Sequence, residues 1–163
     1  FTINALYTFG NGVSGFTAQN VGAKKTDRIK EGMKYGSLMS IATGIVFAVV
    51  YFFFNENLML MFMDNPNNAD AVSSGAQFLK IVAPFYCFIG VKLVGDGVLR
   101  GTGLMKLFMI ATFTDLVLRV VLAFILSPLM GYCGIWVSWP IGWTVATVLS
   151  IVFYFKAIKK AEI

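Results

Sequence analysis

Two pairs of opposite charge lie four residues apart inside apolar stretches of this sequence: Lys92 with Asp96, and Asp115 with Arg119. That spacing puts both members of a pair on one face of a helix, where they partly neutralise each other in a low-dielectric setting. Charges held in hydrocarbon are expensive, so their default meaning is a substrate or ion pathway turned towards protein or water. The alternative is two structural ion pairs that lock helices together. A buried carboxyl can change protonation or hold a cation; a buried lysine can lose its proton, whereas an arginine keeps its charge. Asp96 and Asp115 are therefore the candidates for a changing charge, and Arg119 suits a fixed partner. Lys80, nearer the outer end of its stretch, suits a side chain snorkelling to the headgroups.

Other chemistry is missing from the sequence. It has no His, the usual proton-transfer group near neutral pH and the commonest metal ligand. Cys87 and Cys133 stand in apolar surroundings and form no CxxC pair, so both read as packing residues rather than metal ligands. No catalytic residue, metal site or cofactor is assigned, and an intramembrane enzyme is the least favoured class.

A third group of polar residues lies near the start. Asn4, Thr8, Asn11, Ser14, Thr17, Gln19 and Asn20 alternate with Gly10, Gly12 and Gly15. A helix of this kind cannot face lipid all round, because unpaired amides and hydroxyls are costly there. Asn4, Asn11 and Gln19 are accordingly candidates for lining a cavity. The competing reading has these groups bonding neighbouring helices, with the glycines permitting close backbone approach.

The elements that carry these residues follow from composition. Of 163 residues, 58% are hydrophobic and 13% charged, about half the charge of an ordinary soluble domain. Lipid is the solvent that such a chain fits. Five apolar stretches, about 1–22, 35–54, 77–99, 107–127 and 133–155, approach the roughly 20 residues that a helix needs to cross a bilayer. The fold class is all-α, a polytopic transmembrane helix bundle. Pro84 and Pro140 fall inside the third and fifth stretches, where each can kink its helix. The run Leu58–Met63 is too short to cross and reads as an interfacial turn or an extension of the second span.

Ten of the 13 Lys and Arg residues fall in the connections after spans one, three and five: Lys24, Lys25, Arg28, Lys30 and Lys34; Arg100 and Lys106; Lys156, Lys159 and Lys160. The loops 55–76 and 128–132 contain none. This asymmetry puts the basic connections and the C-terminus in the cytoplasm, and Glu56, Asp64 and Asp70 outside. It also gives the net charge of +5 a topological cause rather than a nucleic-acid partner. The sequence opens at Phe1 without a basic leader or a small-residue cleavage site. It reads as the cut end of a longer polypeptide, not as a signal peptide.

The segment Gln19-Asn-Val-Gly-Ala23, the basic run Lys24-Lys-Thr-Asp-Arg28 and Gly32 together resemble the cytoplasmic connection after helix eight of the multidrug and toxic compound extrusion (MATE) family. Val98-Leu-Arg-Gly-Thr-Gly103 resembles the LRGxG turn that ends helix ten in that family. The resemblance implies that residues 1–163 are helices eight to twelve of twelve, part of the C-terminal six-helix lobe, with the N-terminal lobe of the same chain missing. It implies two pseudo-symmetric lobes around a central cavity that opens alternately to each side of the inner (plasma) membrane. The implied partners are membrane lipid and small amphipathic, mostly cationic organic substrates, exported in exchange for sodium ions or protons. Some members hold the coupling cation with an acid on helix ten, about ten residues before the Leu of LRG. Here that position is Ile89, so that site does not carry over.

The leading functional reading is secondary active multidrug efflux by cation antiport. A lipid-linked oligosaccharide flippase of the same superfamily would want a strongly cationic cavity, whereas the charges inside the spans here are nearly balanced. A non-transporting membrane scaffold subunit, with the ion pairs as packing devices, is the reading from a different class.

Overall fold

The computed structural model describes residues 2–61 and 69–161, which form a helical bundle. Its helices are α1 (Thr2–Gly22), α2 (Thr26–Met61), α3 (Ala69–Val82), α4 (Tyr86–Gly101), α5 (Met105–Met130) and α6 (Tyr132–Ala161), with a 3₁₀ turn, Ala83–Phe85, joining α3 to α4. Helices are the outcome expected in lipid, where every backbone N–H and C=O must be satisfied within its own segment. Four segments are long and apolar enough to cross a membrane unaided: Thr26–Met61, Asp70–Gly101, Met105–Met130 and Tyr132–Lys159. The polar α1 has the length, with 21 residues, and docks on the other helices.

α1 matches its expected stretch, and the helices after it extend beyond theirs. α2 begins at Thr26, ahead of residue 35, and its first turns carry Asp27, Arg28, Lys30, Glu31 and Lys34. The third stretch starts at Ala69 instead of residue 77, and it is two helices rather than one. Pro84, which lacks a backbone donor, sits in the 3₁₀ turn where the break falls. Pro140 is accommodated inside α6. The apolar run after residue 57 continues α2 to Met61, beyond a non-helical Phe54 (φ −115°, ψ 19°). Phe62, Met63 and Asp64 lie outside the described residues.

Two connections use the same cap. After α1, Lys24 N–H bonds the Val21 carbonyl at 3.1 Å and Lys25 N–H bonds that of Asn20 at 2.9 Å. After α4, Gly103 N–H bonds Arg100 at 3.0 Å and Leu104 N–H bonds Leu99 at 2.9 Å. Both are Schellman closures, in which one residue must be left-handed. Gly103 (φ +74°) supplies it after α4, and Lys24 (φ +55°) supplies it after α1.

α4 is the axis of the bundle, and every residue from Lys92 to Leu99 is buried. One apolar cluster joins Leu6, Val82, Tyr86, Ile89, Leu93 and Trp143. A second, a few turns along α4, joins Val13, Ile29, Val94, Val98 and Ile158. The second cluster gathers the C-terminal parts of α1, α4 and α6 with the start of α2, so the basic connections share one end of the bundle. α5 lies outermost: Phe113, Leu116, Val117, Val120, Val121 and Phe124 are exposed, and Ala111 and Asp115 are its buried residues.

Candidate functional site

The middle of α4 is built for close approach. A Cβ at Gly90 or Gly97 would collide with Ser40 Oγ on α2 or with the Gly10 carbonyl on α1, and one at Gly95 would stand 2.5 Å from Ser150 Oγ on α6. With those side chains reduced to hydrogen, three helices close on α4 and exclude solvent from the charges between the glycines.

Lys92 and Asp96 form the expected pair, with Lys92 Nζ 2.6 Å from Asp96 Oδ2 and side-chain exposures of 4% and 2%. The other carboxylate oxygen, Oδ1, accepts a hydrogen bond from the Ser150 hydroxyl at 3.0 Å. Lys92 Nζ also donates to Thr112 Oγ1 on α5 at 3.4 Å. Thr112 lies one turn before Asp115, whose Oδ2 is 3.0 Å from Arg119 Nη2. Lys92 therefore stands between Asp96 and the turn of α5 that carries Asp115. Arg119 then reaches α6: its guanidinium carbon lies 4.8 Å from the centre of the Trp139 ring. Gly142 is the matching small residue, since a Cβ there would come within 2.7 Å of Asp115 Oδ1.

The two pairs predicted as separate units are thus one run of alternating charge, Asp96–Lys92–Asp115–Arg119, crossing from α4 through α5 to the aromatic face of α6. Two acids and two bases cancel, so the buried assembly is neutral when all four are ionised. Neutralising either carboxylate would leave an uncompensated cation in a desolvated place, which is strongly unfavourable. The arrangement therefore responds as a unit to a change at one acid.

Ser150, Thr112 and Trp139 were not singled out from the sequence. Hydroxyls in apolar helices commonly bond their own preceding turn, as Thr144 does to the Pro140 carbonyl at 2.8 Å. The available signal was the three-residue step between Thr147 and Ser150, which puts both on one face. Thr147 Oγ1 lies 3.0 Å from the Phe88 carbonyl across the α4–α6 contact.

The cavity-lining candidates fall elsewhere. Asn4, Asn11 and Gln19 are exposed, on the side of α1 that also shows Tyr7, Thr8, Gly12 and Gly15. They stand apart from the buried Lys92–Asp96 pair. Asn11 instead accepts a hydrogen bond from Arg100 Nη2 at 3.0 Å, and Arg100 stacks over Phe108 at 5.6 Å. Lys80 is exposed on the last turn of α3, away from the cluster. No group of three or more metal-ligating side chains occurs among the described residues.

Comparison with known proteins gives this geometry a family. The MatE family profile matches residues 1–125. The chain is 29% identical over 127 residues to "Probable multidrug resistance protein YpnP" of Bacillus subtilis (strain 168), covering 77% of this chain and 28% of that protein. It is 24% identical over 159 residues to "Probable multidrug resistance protein YoeA" of the same organism, covering 96% of this chain and 34% of that one. The chain thus spans about a third of the length of these curated relatives. Its fold is similar to a solved structure described as the inward-facing conformation of a multidrug resistance MATE family transporter of the MOP superfamily, with a TM-score of 0.83, 19% identity, and coverage of 93% of this chain and 34% of that one. With the profile matching most of its length, the chain belongs to the MatE family.

Proposed function

We propose that the whole protein exports small amphipathic organic cations by cation antiport through alternating access, and that this chain supplies helices eight to twelve of its C-terminal lobe. The observation that carries this reading is the MatE match over residues 1–125, joined by relatives named as multidrug resistance proteins. The exposed side of α1 supports it. Asn4, Tyr7, Thr8, Asn11 and Gln19 make an uncharged, partly aromatic strip, suited to face the other lobe or an organic cation rather than lipid. The gathering of basic connections at one end supports a plasma-membrane orientation with that end, and the C-terminus, in the cytoplasm.

Within this lobe the coupling step is assigned to the Asp96–Lys92–Asp115–Arg119 run, with Asp96 taking up a proton. A proton suits Asp96 better than a sodium ion does, because Lys92 and Ser150 already occupy both carboxylate oxygens at 2.6 and 3.0 Å. A sodium ion would have to displace the ammonium group. The pairwise cancellation of charge also supports an exporter of cations over a flippase for an anionic lipid-linked sugar.

The test is gradient-driven ethidium efflux by the full-length protein, comparing proton and sodium gradients and the variants Asp96→Asn and Asp115→Asn. Efflux driven by a proton gradient and lost in Asp96→Asn is the expected result. Undiminished coupled efflux in both variants would remove the coupling role from this lobe. No efflux of any organic cation under either gradient would remove the exporter reading.

A further inference from the structure

Ser150 is fully buried on α6, and two acceptors lie within reach of its hydroxyl: Asp96 Oδ1 at 3.0 Å and the main-chain carbonyl oxygen of Lys92 at 3.3 Å. A hydroxyl carries one hydrogen and also offers its own oxygen as an acceptor. Its single O–H cannot serve both acceptors at full strength, so the charge on Asp96 decides between them. While Asp96 is ionised, the charge-assisted bond is the stronger. Once Asp96 carries a proton, the carboxyl becomes a donor itself, and the carbonyl is the better acceptor for the serine.

We propose that Ser150 is the positioning residue for Asp96: its O–H bonds the ionised carboxylate, then turns to the Lys92 carbonyl as Asp96 accepts a proton, and its oxygen takes the new carboxyl O–H. The inference rests on the coupling role assigned to Asp96 above and deepens it. Asp96 Oδ1 and the Ser150 hydroxyl are hydrogen-bonded in both states, so proton uptake leaves neither of these two buried oxygens without a partner. Lys92, no longer facing an anion, keeps Thr112 Oγ1 at 3.4 Å as its link towards α5.

The surroundings leave this role to Ser150. On α4 the charged groups acting on Asp96 are Lys92 and Arg100. From α5, Asp115 connects through Lys92. The side chains that α1 and α2 bring to this stretch of α4 include Val13, Met33 and Ser40, opposite glycines or Val94, and none of these titrates. Gly95 makes the approach of α6 feasible, because a Cβ at that position would stand 2.5 Å from Ser150 Oγ.

The test is the pH profile of proton-driven ethidium efflux by the full-length protein in proteoliposomes, for Ser150→Ala, Ser150→Cys, Gly95→Ala and Asp96→Asn. Removing a donor to the ionised form moves the midpoint to higher pH, by about one pH unit for a lost hydrogen bond to a charged group. Ser150→Cys, with a weaker donor, falls between Ser150→Ala and the native protein. Gly95→Ala, which displaces the hydroxyl, reproduces the Ser150→Ala shift. A Ser150→Ala midpoint equal to the native one, with Asp96→Asn still abolishing the pH dependence, overturns the role of Ser150 and leaves that of Asp96. A uniform loss of rate at every pH, unrelieved by Ser150→Cys, assigns Ser150 to packing alone and also overturns it. A profile unaltered in Asp96→Asn overturns the coupling role itself.

Discussion

Gly97 of α4 lies directly against the carbonyl of Gly10 on α1, so the polar α1 and the helix that carries the buried Lys92–Asp96 pair meet backbone to backbone with no side chain between them. The contact continues one turn on, where Gly101 meets the Ser14 carbonyl and Thr17. In lipid, where apolar side chains gain little by exchanging lipid tails for one another, such close packing of small residues holds helices together. It also fixes the rotation of α1, turning Asn4, Asn11 and Gln19 outwards.

Gly97→Ala is therefore expected to lower the thermal stability of the full-length protein in detergent by about 1–3 kcal/mol, since the clashing atom is backbone and cannot swing aside. An unchanged unfolding temperature would contradict the close approach.

Lys92→Met leaves Asp96 buried without its cation, and breaking such a pair costs about 3–5 kcal/mol. Lys92→Met combined with Asp96→Leu removes both charges, and the double variant is expected to be more stable than Lys92→Met alone. Additive losses in the same unfolding measurement would show that the two side chains do not depend on each other.

Arg119→Lys keeps the charge near Asp115 but gives up the planar group that lies over Trp139. A double-mutant cycle of Arg119→Lys and Trp139→Leu is expected to give a coupling energy of about 0.5–2 kcal/mol. A coupling indistinguishable from zero would detach α6 from the charge run.

The two matched caps make opposite predictions. Lys24 occupies a left-handed position that glycine fills without strain, so Lys24→Gly is expected to stabilise the protein by about 1 kcal/mol. Gly103→Ala puts a side chain into the equivalent position after α4 and is expected to cost a similar amount. The comparison of unfolding temperatures for the two variants checks the cap geometry.

Sidedness is testable by labelling single cysteines with a membrane-impermeant maleimide in intact cells, using Lys24→Cys and Glu56→Cys in a background without Cys87 and Cys133. Only the Glu56→Cys protein is expected to react before the membrane is opened. Reaction at both positions from the same side would contradict the orientation read from the basic connections.

The sequence alone determined that this chain is a set of membrane helices, because composition and span length answer to the solvent and not to the partners of any one residue. The four-residue spacing likewise decided that Lys92 meets Asp96 and Asp115 meets Arg119, since those contacts lie within single helices and need no tertiary structure. The break at Pro84 was half legible: the missing donor marks the place, while the tertiary packing of α3 and α4 decided that it became a 3₁₀ turn between two helices. What only the tertiary structure decided was the joining of the two pairs, the arrival of Ser150 and Trp139 from α6, and the outward turn of Asn4, Asn11 and Gln19. Those depend on how the helices rotate against one another. That rotation is set by glycines whose meaning lies in the atoms they let approach, and a one-dimensional pattern does not name those atoms.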